Sequence, residues 1–572
     1  MAEEARDAPA AVPPALGAGI DFTDPNSPLA PFYLRTVHLV AIGFVGFLFV
    51  VASVVPLWHT DVWGHARYGQ WMVEHRAIPE REPFCPWWDG RVPFTQFYTL
   101  TQLPMYGAYA LGEWLAGGNE MRRMAGGVEM LRLSHALLTA ARFAVLLAVF
   151  VRAGRSWPVA VVGLVAVAMI DLSNLAVFRP QTFAQFGFAV LLVPLTRSIL
   201  SRRALLLIPL LLVVWANGHG SYVVAFVLLA AVLLGRVVKL ATDGNRRPWR
   251  DPHAARLAVA LCLSVVAVGV LNPYGLALYS RTLALSTHPS LVGAITEWQP
   301  LMFSWAKGWH WIFMLSLALV VLTQLAGRKP MPPHHLVVLL LFGTGAALQN
   351  RFIIWWAMLV PWVLVPRWAD LAARWPARLT PAASVPSLRK TAVGVLLLFP
   401  IFMWSTPSQW VLSGDPAPVG AAVSAGTPWA VARVVRGQPV PELPWAGEMA
   451  AVLHARYPDG RFSGTIMATP MQGDYLMWAL APDVPVTYAH IHLFHPDYWE
   501  ELGVVGRGDA GWWDVLEKYR VNLLVVEADH ARKLRDRLRA TKGWTILLDE
   551  TGDAGKPDPL TRQLVAIRTD PL

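Results

Sequence analysis

An acidic residue and a histidine lie four positions apart directly after the first long apolar run of the chain. Asp61 and His65 stand in the stretch HTDVWGHARYGQWM, in a chain that is 55% hydrophobic and 15% charged. Residues at this spacing share one face if the segment is helical. A carboxylate can accept the proton of a hydroxyl nucleophile, so the pair predicts general-base chemistry.

Further polar residues recur at the ends of other apolar runs. Arginine guanidinium groups bind phosphate oxygens bidentately, which makes Arg179 and Arg351 candidates for holding a phosphate or diphosphate. Glu297 is a second candidate proton acceptor. We therefore predict Asp61, His65 and Glu297 as the catalytic residues. The predicted substrate-binding residues are Arg67, Arg179, Gln181, Asn217, His219, Asn272, Tyr274, Asn350 and Arg351.

A divalent metal ion is an open possibility for the same segment. Asp61 and His65, with His59 and His219 near them, have side chains of the types that bind such ions. No H-E-x-x-H motif or paired-cysteine spacing supports a metal site. We therefore assign no metal ligands and no certain cofactor, and a divalent metal stays possible.

Long apolar runs must position these residues. A helix needs about 20 apolar residues to cross the hydrocarbon core of a membrane, or fewer if flanking residues reach the interface. The chain contains about eleven such runs. They cover residues 33–57, 130–151, 157–173, 180–197, 203–217, 220–239, 254–272, 310–327, 333–349, 352–366 and 391–405. The sequence thus predicts a mainly α, polytopic membrane protein.

The distribution of basic residues predicts the topology. Lys and Arg concentrate in alternate loops, for example at Arg152/Arg155, Arg202/Arg203 and Arg328/Lys329. Such loops lie in the cytoplasm. The N-terminus is then cytoplasmic and the C-terminal part extracytoplasmic, in a multi-pass protein of the cell inner (cytoplasmic) membrane. This parity requires residues 97–118 to lie in the interface without crossing the membrane.

Composition divides the chain into four parts. Residues 1–32 read as a disordered cytoplasmic tail, residues 33–405 as the transmembrane domain with an outer loop at 58–129, and residues 406–445 as a Pro/Gly/Ala-rich linker. Residues 446–572 alternate strand-like and helix-like segments, which predicts a small extracytoplasmic α/β domain with a largely parallel sheet. The four predicted strands are GTIMA, VPVTY, NLLVVEA and WTILLDE.

The predicted topology brings the unusual polar residues to one side of the membrane. Polar groups at membrane depth cost several kcal/mol unless they are paired or line a cavity. A shared polar cavity at the outer leaflet would explain the set, whereas each residue taken singly could be a helix cap or an interfacial anchor. The net charge of +10 arises from the cytoplasmic loops, so it does not indicate nucleic-acid binding.

The first outer loop resembles that of a large set of bacterial integral membrane proteins. DVWGHARYGQWMVEHRAIPEREPFCPWWDGRVPF follows approximately the pattern D-x-W-W-H-L-x-x-G-x-x-I-x-x-x-G-x-x-P-x-x-D-P-F-S. The similarity continues through FRPQ, WANGHGS, LNPYG, TEWQP and QGDYLMWAL, and so spans most of the chain after residue 33. These proteins look like GT-C glycosyltransferases, relatives of protein O-mannosyltransferases and of the aminoarabinose transferases of lipid A.

The resemblance implies a donor and several residue roles. The GT-C class takes sugars from polyprenyl-phosphate carriers in the membrane, and its first outer loop holds an acidic residue that is a base or a metal ligand. Asp61 matches that residue. Arg179 and Arg351 would hold the lipid phosphate, and His219 and Glu297 would shape the pocket.

The chain departs from the pattern at four positions of the first outer loop. Gly64 replaces Trp, Ala66 replaces Leu, Glu82 replaces Asp and Cys85 replaces Ser. None of them removes Asp61 or His65, but together they put the shape of the acceptor pocket in doubt.

Three functional hypotheses follow. The first is a transferase that moves a sugar from a polyprenyl-phosphate donor to an unknown acceptor outside the membrane. The second is a transporter or flippase of a lipid-linked saccharide, which would place polar residues near the middle of its spans. The spans here are mainly Leu, Val and Ala at that depth, which disfavours transport. The third is a non-catalytic envelope assembly protein.

Overall fold

The structure is a computed structural model that describes most of the chain. The described residues are 22–58, 61–245, 247–289, 296–301, 309–374, 384–488, 490–528, 531–550 and 562–569. His59 lies outside them, as do residues 1–21 of the predicted N-terminal tail. Within that predicted tail, the carbonyl oxygen of Phe22 accepts a hydrogen bond from the N–H of Leu388 at 2.8 Å.

Thirteen of the described helices precede residue 375. They are α1 (Thr36–Val54), α2 (Asp61–His75), α3 (Thr99–Ala116), α4 (Glu120–Gly154), α5 (Trp157–Ile170), α6 (Pro180–Leu195), α7 (Ala204–Ala216), α8 (Tyr222–Thr242), α9 (Pro252–Leu271), α10 (Ala277–Ser286), α11 (Trp309–Ala326), α12 (Pro333–Leu348) and α13 (Ile353–Ala372). Residues 388–403 form α14 (Leu388–Met403), which is bent by 73° from α15 (Thr406–Ser413).

The chain is a multi-pass membrane protein. Among the described residues, five helices are long and apolar enough to cross a membrane, and the bent pair α14–α15 makes a sixth if it counts as one span. Five shorter apolar helices accompany them. Every apolar run predicted to span falls on a helix. The helix over residues 99–116 does not appear among the candidate spans.

The predicted linker is folded. Residues 406–445 contain α15, α16 (Val419–Ala422) and α17 (Trp429–Val435). Val419 and Val431 are fully buried and belong to one apolar cluster with residues of α2, α4 and the sheet. Three of the Pro residues that suggested a connector, Pro407, Pro418 and Pro428, stand at helix N-termini, where Pro is well tolerated.

The C-terminal part contains the expected mixture of helices and strands. Its helices are α18 (Pro444–Arg456), α19 (Pro470–Leu480), α20 (Pro496–Arg507), α21 (Trp512–Lys518) and α22 (Arg532–Ala540). Its strands are β1 (Thr465–Ala468), β2 (Val521–Glu527), β3 (Trp544–Asp549) and β4 (Gln563–Arg568), in the order β1-β2-β4-β3.

The prediction of a largely parallel sheet is wrong. β1 pairs with β2 in parallel, but β4 pairs antiparallel with both β2 and β3. The predicted strand VPVTY forms a single bridge, between Val486 and Ile466. β4 lies between β2 and β3 and runs antiparallel to both, so only the pair β1–β2 is parallel.

Helix α2 connects the membrane helices to the C-terminal part. It packs against α3 on one side and against α19 on the other. Trp63 of α2 contacts Tyr475 and Trp478 of α19 edge-on or tilted, with ring centroids 5.0 and 6.2 Å apart. The helix that carries Asp61 and His65 therefore packs between α3 and α19.

Candidate functional site

Asp61 opens helix α2, and His65 follows one turn later. The segment is helical, so the two side chains do share a face. A carboxylate in the first turn of a helix is stabilised by the helix dipole. The imidazole Nδ1 of His65 lies 3.0 Å from the amide Nε2 of Gln102 on α3. Asp61 interacts electrostatically with His65, Arg179 and Arg351.

Two histidines of the C-terminal part join this face. His490 lies with its ring centroid 4.6 Å from that of His65, and His492 lies 5.8 Å from His490. Tyr98, which immediately precedes α3, contacts His65 at 4.6 Å and His219 at 5.5 Å. Four imidazoles thus surround one phenol ring.

The imidazoles are held in the neutral form. Burial lowers the pKa of His490 to about 4 and that of His492 to about 3, and it holds the pKa values of His65 and His219 well below their usual value. Asp61 opposes the shift in all four. Near neutral pH these rings therefore offer hydrogen-bond donors and acceptors without charge.

Arg179 and Glu297 form an ion pair. Nη1 of Arg179 lies 2.9 Å from Oε1 and 3.1 Å from Oε2 of Glu297. Arg179 precedes α6 in an extended conformation and is buried, while the Glu297 side chain is 31% exposed. The pair largely cancels its own charge, so Arg179 is a weaker phosphate ligand than the sequence suggested and Glu297 has a structural partner.

A cavity of about 460 Å³ lies beside this face. Its polar lining comes from segments that start or end helices: Tyr98, Gln181, His219 and Arg351. Its apolar lining comes mainly from the first turns of α8 and from α10: Val223, Val224, Phe226, Val227, Leu283 and Leu285. An amphiphile with a polar head and a hydrocarbon chain matches such a lining.

Unused polar atoms face this cavity. The guanidinium of Arg351 lies 5.3 Å over the ring of Trp298 and, within the part of the chain that the structure describes, it forms no ion pair. Oε1 of Gln181 and Nε1 of Trp298 are buried and find no hydrogen-bond partner among the described residues. Buried polar atoms normally have hydrogen-bond partners. The Arg351 cation, the Trp298 donor and the Gln181 acceptor therefore indicate that a polar ligand binds here.

His219 supplies one more donor. Its Nδ1 accepts the backbone N–H of Ser221 at 3.0 Å and lies 2.7 Å from the hydroxyl of the same residue. An Nδ1 that accepts an amide N–H leaves the ring proton on Nε2. The free edge of the neutral ring is therefore a hydrogen-bond donor.

The structure places Arg67 apart from Asp61 and His65. Six residues after Asp61, it lies about 120° around the helix from that residue by the shorter way. Its Nη1 donates to Gln70 at 2.7 Å, its Nη2 donates to the carbonyl oxygen of Ala481, and its guanidinium lies 5.1 Å over Phe84. It ties α2 to the C-terminal part.

Asn217, Asn272 and Tyr274 form a network within the protein. Asn272 donates to the side-chain oxygen of Asn217 at 3.1 Å, and the Tyr274 hydroxyl accepts the N–H of Gln96 at 2.7 Å. None of the three lines the cavity. These residues hold the turns after α7 and α9 to the segment before α3.

Asn350 also stays outside the cavity lining, between Gln349 and Arg351, which do line it. Its backbone N–H donates to the carbonyl oxygen of Gln299 at 3.0 Å, which holds the turn before α13 to the segment that carries Glu297.

The described residues do not form a metal site, and His59, one of the four candidate ligands, lies outside them. Among the described residues, no three His, Cys, Asp or Glu side chains converge in a group that could hold one. The neighbours of Asp61 are imidazoles and arginines, and cationic arginines disfavour a metal cation. No step of the proposed chemistry is therefore assigned to a metal.

The sequence missed four residues of the site: Tyr98, Trp298, His490 and His492. The H-x-H spacing in AHIHLF was a usable signal, but it lies more than 400 positions after Asp61. Tyr98 and Trp298 were indistinguishable from interfacial aromatic anchors.

Comparison with known proteins identifies the fold. No protein-family model matches the chain, and no curated protein matches it in sequence. Among solved structures, it is similar to the oligosaccharyltransferase of Archaeoglobus fulgidus with a tethered acceptor peptide. The two are 14% identical with a TM-score of 0.50, over 86% of this chain and 69% of the other.

A second similarity is weaker. ArnT from Cupriavidus metallidurans bound to undecaprenyl phosphate is 12% identical over 93% of this chain and 97% of that one, with a TM-score of 0.44, which is too low to carry weight. The first match agrees with the fold that the first outer loop led us to expect. The chain therefore has the fold of the GT-C membrane glycosyltransferases.

Proposed function

We propose that the chain is a glycosyltransferase that moves a sugar from a polyprenyl-phosphate donor to an extracytoplasmic acceptor. The observation that carries this proposal is the cavity: an apolar channel along α8 and α10 ends at Arg351, Gln181 and His219. The fold is that of an enzyme named for transferring oligosaccharides. We further propose that this face lies outside the cytoplasmic membrane, as the basic loops predict.

The donor would lie with its phosphate at the polar end. The Arg351 guanidinium would bind phosphate oxygens, and His219 Nε2–H and Trp298 Nε1–H would donate to them. The isoprenoid chain would lie against Val223, Val227 and Leu283. Arg179 would add positive potential, reduced by its ion pair with Glu297.

Asp61 would act as the base. The acceptor oxygen attacks the anomeric carbon of the sugar while the bond from that carbon to the phosphate oxygen breaks. The acceptor proton passes to the carboxylate of Asp61, and polyprenyl phosphate leaves with the bonding electron pair. Attack opposite the leaving group inverts the anomeric centre. His65 contacts Gln102 and Tyr98, and these contacts would hold in place the face of α2 that carries Asp61.

A genetic and analytical experiment tests the proposal. In cells that lack the gene, an envelope glycan should be lost and its sugar-charged lipid should accumulate. The wild-type gene should restore the glycan and Asp61→Asn should not, although the variant protein folds normally. Asp89→Asn is the matched control, because Asp89 is 44% exposed and pairs with Arg91 on the surface. Restoration by Asp61→Asn would refute the role of Asp61.

Transport assays and the Asp61→Asn variant distinguish the transferase from the two alternative functions. A transporter would move the lipid-linked sugar across the membrane, and purified protein in liposomes would do so without transferring it. Translocation without transfer would refute the proposed function. A non-catalytic assembly protein would tolerate Asp61→Asn.

A further inference from the structure

The proposed function makes no use of His490 and His492, the H-x-H pair of the C-terminal part. His490 is 8% exposed, and its Nε2 finds no hydrogen-bond partner among the described residues. Since a buried imidazole nitrogen without a partner is costly, a pair of histidines in this position calls for an explanation beyond packing.

Aromatic rings fix His490 on three sides. It stacks on Tyr68 at 5.2 Å with an interplanar angle of 20°, lies 4.6 Å from His65, and lies 5.8 Å from His492 at 18°. Tyr68 is itself held, because its hydroxyl donates to the buried carboxylate of Glu82. The His490 ring is thereby a rigid support for His492.

His492 has a different environment. It is only partly buried, it forms no hydrogen bond within the part of the chain that the structure describes, and its ring lies 6.3 Å from that of Tyr98. It interacts electrostatically with Asp61 and Arg351. Tyr98 lines the donor cavity but His492 does not. His492 therefore lies within electrostatic range of Asp61, with the Tyr98 ring between it and the donor cavity.

The chemistry of this position favours a hydroxyl group. Neutral imidazole and phenol groups both accept and donate hydrogen bonds, which suits an alcohol, and Arg351, which acts on His492 electrostatically, lines the donor cavity. A hydroxyl bound here would lie next to the carboxylate that must take its proton.

We propose that His492 binds the hydroxyl group of the acceptor and that His490 is a positioning residue for it. The C-terminal part thus supplies the acceptor side of the site, while the membrane helices supply the donor side. This inference rests on the proposed function and adds to it a class of acceptor, an alcohol, and the residue that holds it.

Ring-preserving variants test the inference. His492→Phe keeps the ring contacts with His490 and Tyr98 but removes the hydrogen bond, and His492→Gln keeps a polar group. His454→Phe is the control, because His454 is an exposed histidine on α18. Two quantities are measured for the full-length protein: restoration of the glycan in cells that lack the gene, and the Kd for undecaprenyl phosphate by native mass spectrometry.

The expected result separates the two sides of the site. His492→Phe should lower glycan formation by about tenfold or more, because it removes a hydrogen bond to the acceptor, and His492→Gln should lower it less. Binding of undecaprenyl phosphate should stay within about twofold of wild type in both. His454→Phe should behave as wild type.

Three results would overturn the inference. Wild-type glycan levels with His492→Phe would show that His492 does not hold the acceptor. Weakened binding of undecaprenyl phosphate in that variant would move His492 to the donor side. If cells without the gene lose no glycan, both the proposed function and this inference are refuted. The two earlier results concern only His492, so they refute the inference and leave the proposed function standing.

Discussion

Nη1 of Arg179 lies 2.9 Å from Oε1 of Glu297, and this ion pair joins segments 118 residues apart. It fastens the start of α6 to the segment that carries Trp298. The sequence suggested separate tasks for the two residues, phosphate binding and proton transfer. The structure instead pairs the two residues with each other, while Arg351 lines the cavity.

Glu297→Gln should destabilise the protein because it leaves the buried Arg179 without its counter-charge. We expect a loss of about 1–3 kcal/mol in the free energy of unfolding, at the lower end because Glu297 is partly exposed. Thermal unfolding of the purified protein measures it. Asp243→Asn, which breaks the exposed pair of Lys239 and Asp243, should change stability little. Equal effects of the two substitutions would contradict a structural role for Glu297.

Gly64→Ala should loosen the contact between α2 and the C-terminal part. A Cβ at this position would lie 2.2 Å from Oδ1 of Asp474 and 3.2 Å from Cε1 of His490. Asp474 is fully buried and cannot move away freely, so we expect a loss of about 1–3 kcal/mol.

Limited proteolysis and thermal unfolding measure the effect of Gly64→Ala. The control is Gly43→Ala in α1, where a Cβ meets nothing within 4 Å. That substitution should be neutral or stabilising. Wild-type stability of Gly64→Ala would show that this packing is not tight.

Glu82 should make stability depend on pH. Burial raises its pKa from 4.5 to about 7, against hydrogen bonds from Tyr68, Phe84 N–H and Cys85 N–H that favour the charged form. Folding therefore favours protonated Glu82. Its contribution is complete below about pH 4.5 and is lost as the pH rises to about 7.

Comparison with Glu82→Gln isolates this contribution. Between pH 4.5 and 7.5, the stability of wild type should fall relative to the variant by an amount on the order of 3 kcal/mol or less. Unfolding midpoints of both proteins at several pH values measure the difference. A wild type that gains stability relative to the variant over this range would show that folding lowers the pKa of Glu82.

The sequence predicted the membrane helices because an apolar run of sufficient length has few other stable conformations. It also predicted that Asp61 and His65 share a helix face, which depends only on local geometry. The same helical geometry turns Arg67 about 120° away from Asp61, which the residue type alone does not indicate.

The sequence did not predict which side chains from distant segments contact each other. Asn217 and Asn272 bind each other, and nothing in NPYG or WANGHGS distinguishes such a pair from two ligand-binding amides. His490 reaches His65 only because α19 docks on α2, a contact that Gly64 permits by having no side chain. β4 was not predicted, although GKPDP before QLVAIR and DP after it are turn signals of the kind that bound the other strands.

Lipid binding tests whether the cavity holds a polyprenyl phosphate through Arg351. Native mass spectrometry gives the Kd of undecaprenyl phosphate and of undecaprenol, which lacks the phosphate, for wild type, Arg351→Gln and the control Arg202→Gln. We expect wild type and Arg202→Gln to prefer the phosphate by about tenfold or more. Arg351→Gln should lose most of that preference. Equal binding of the two lipids by wild type, or an unchanged preference in Arg351→Gln, would show that Arg351 does not bind the phosphate in this cavity.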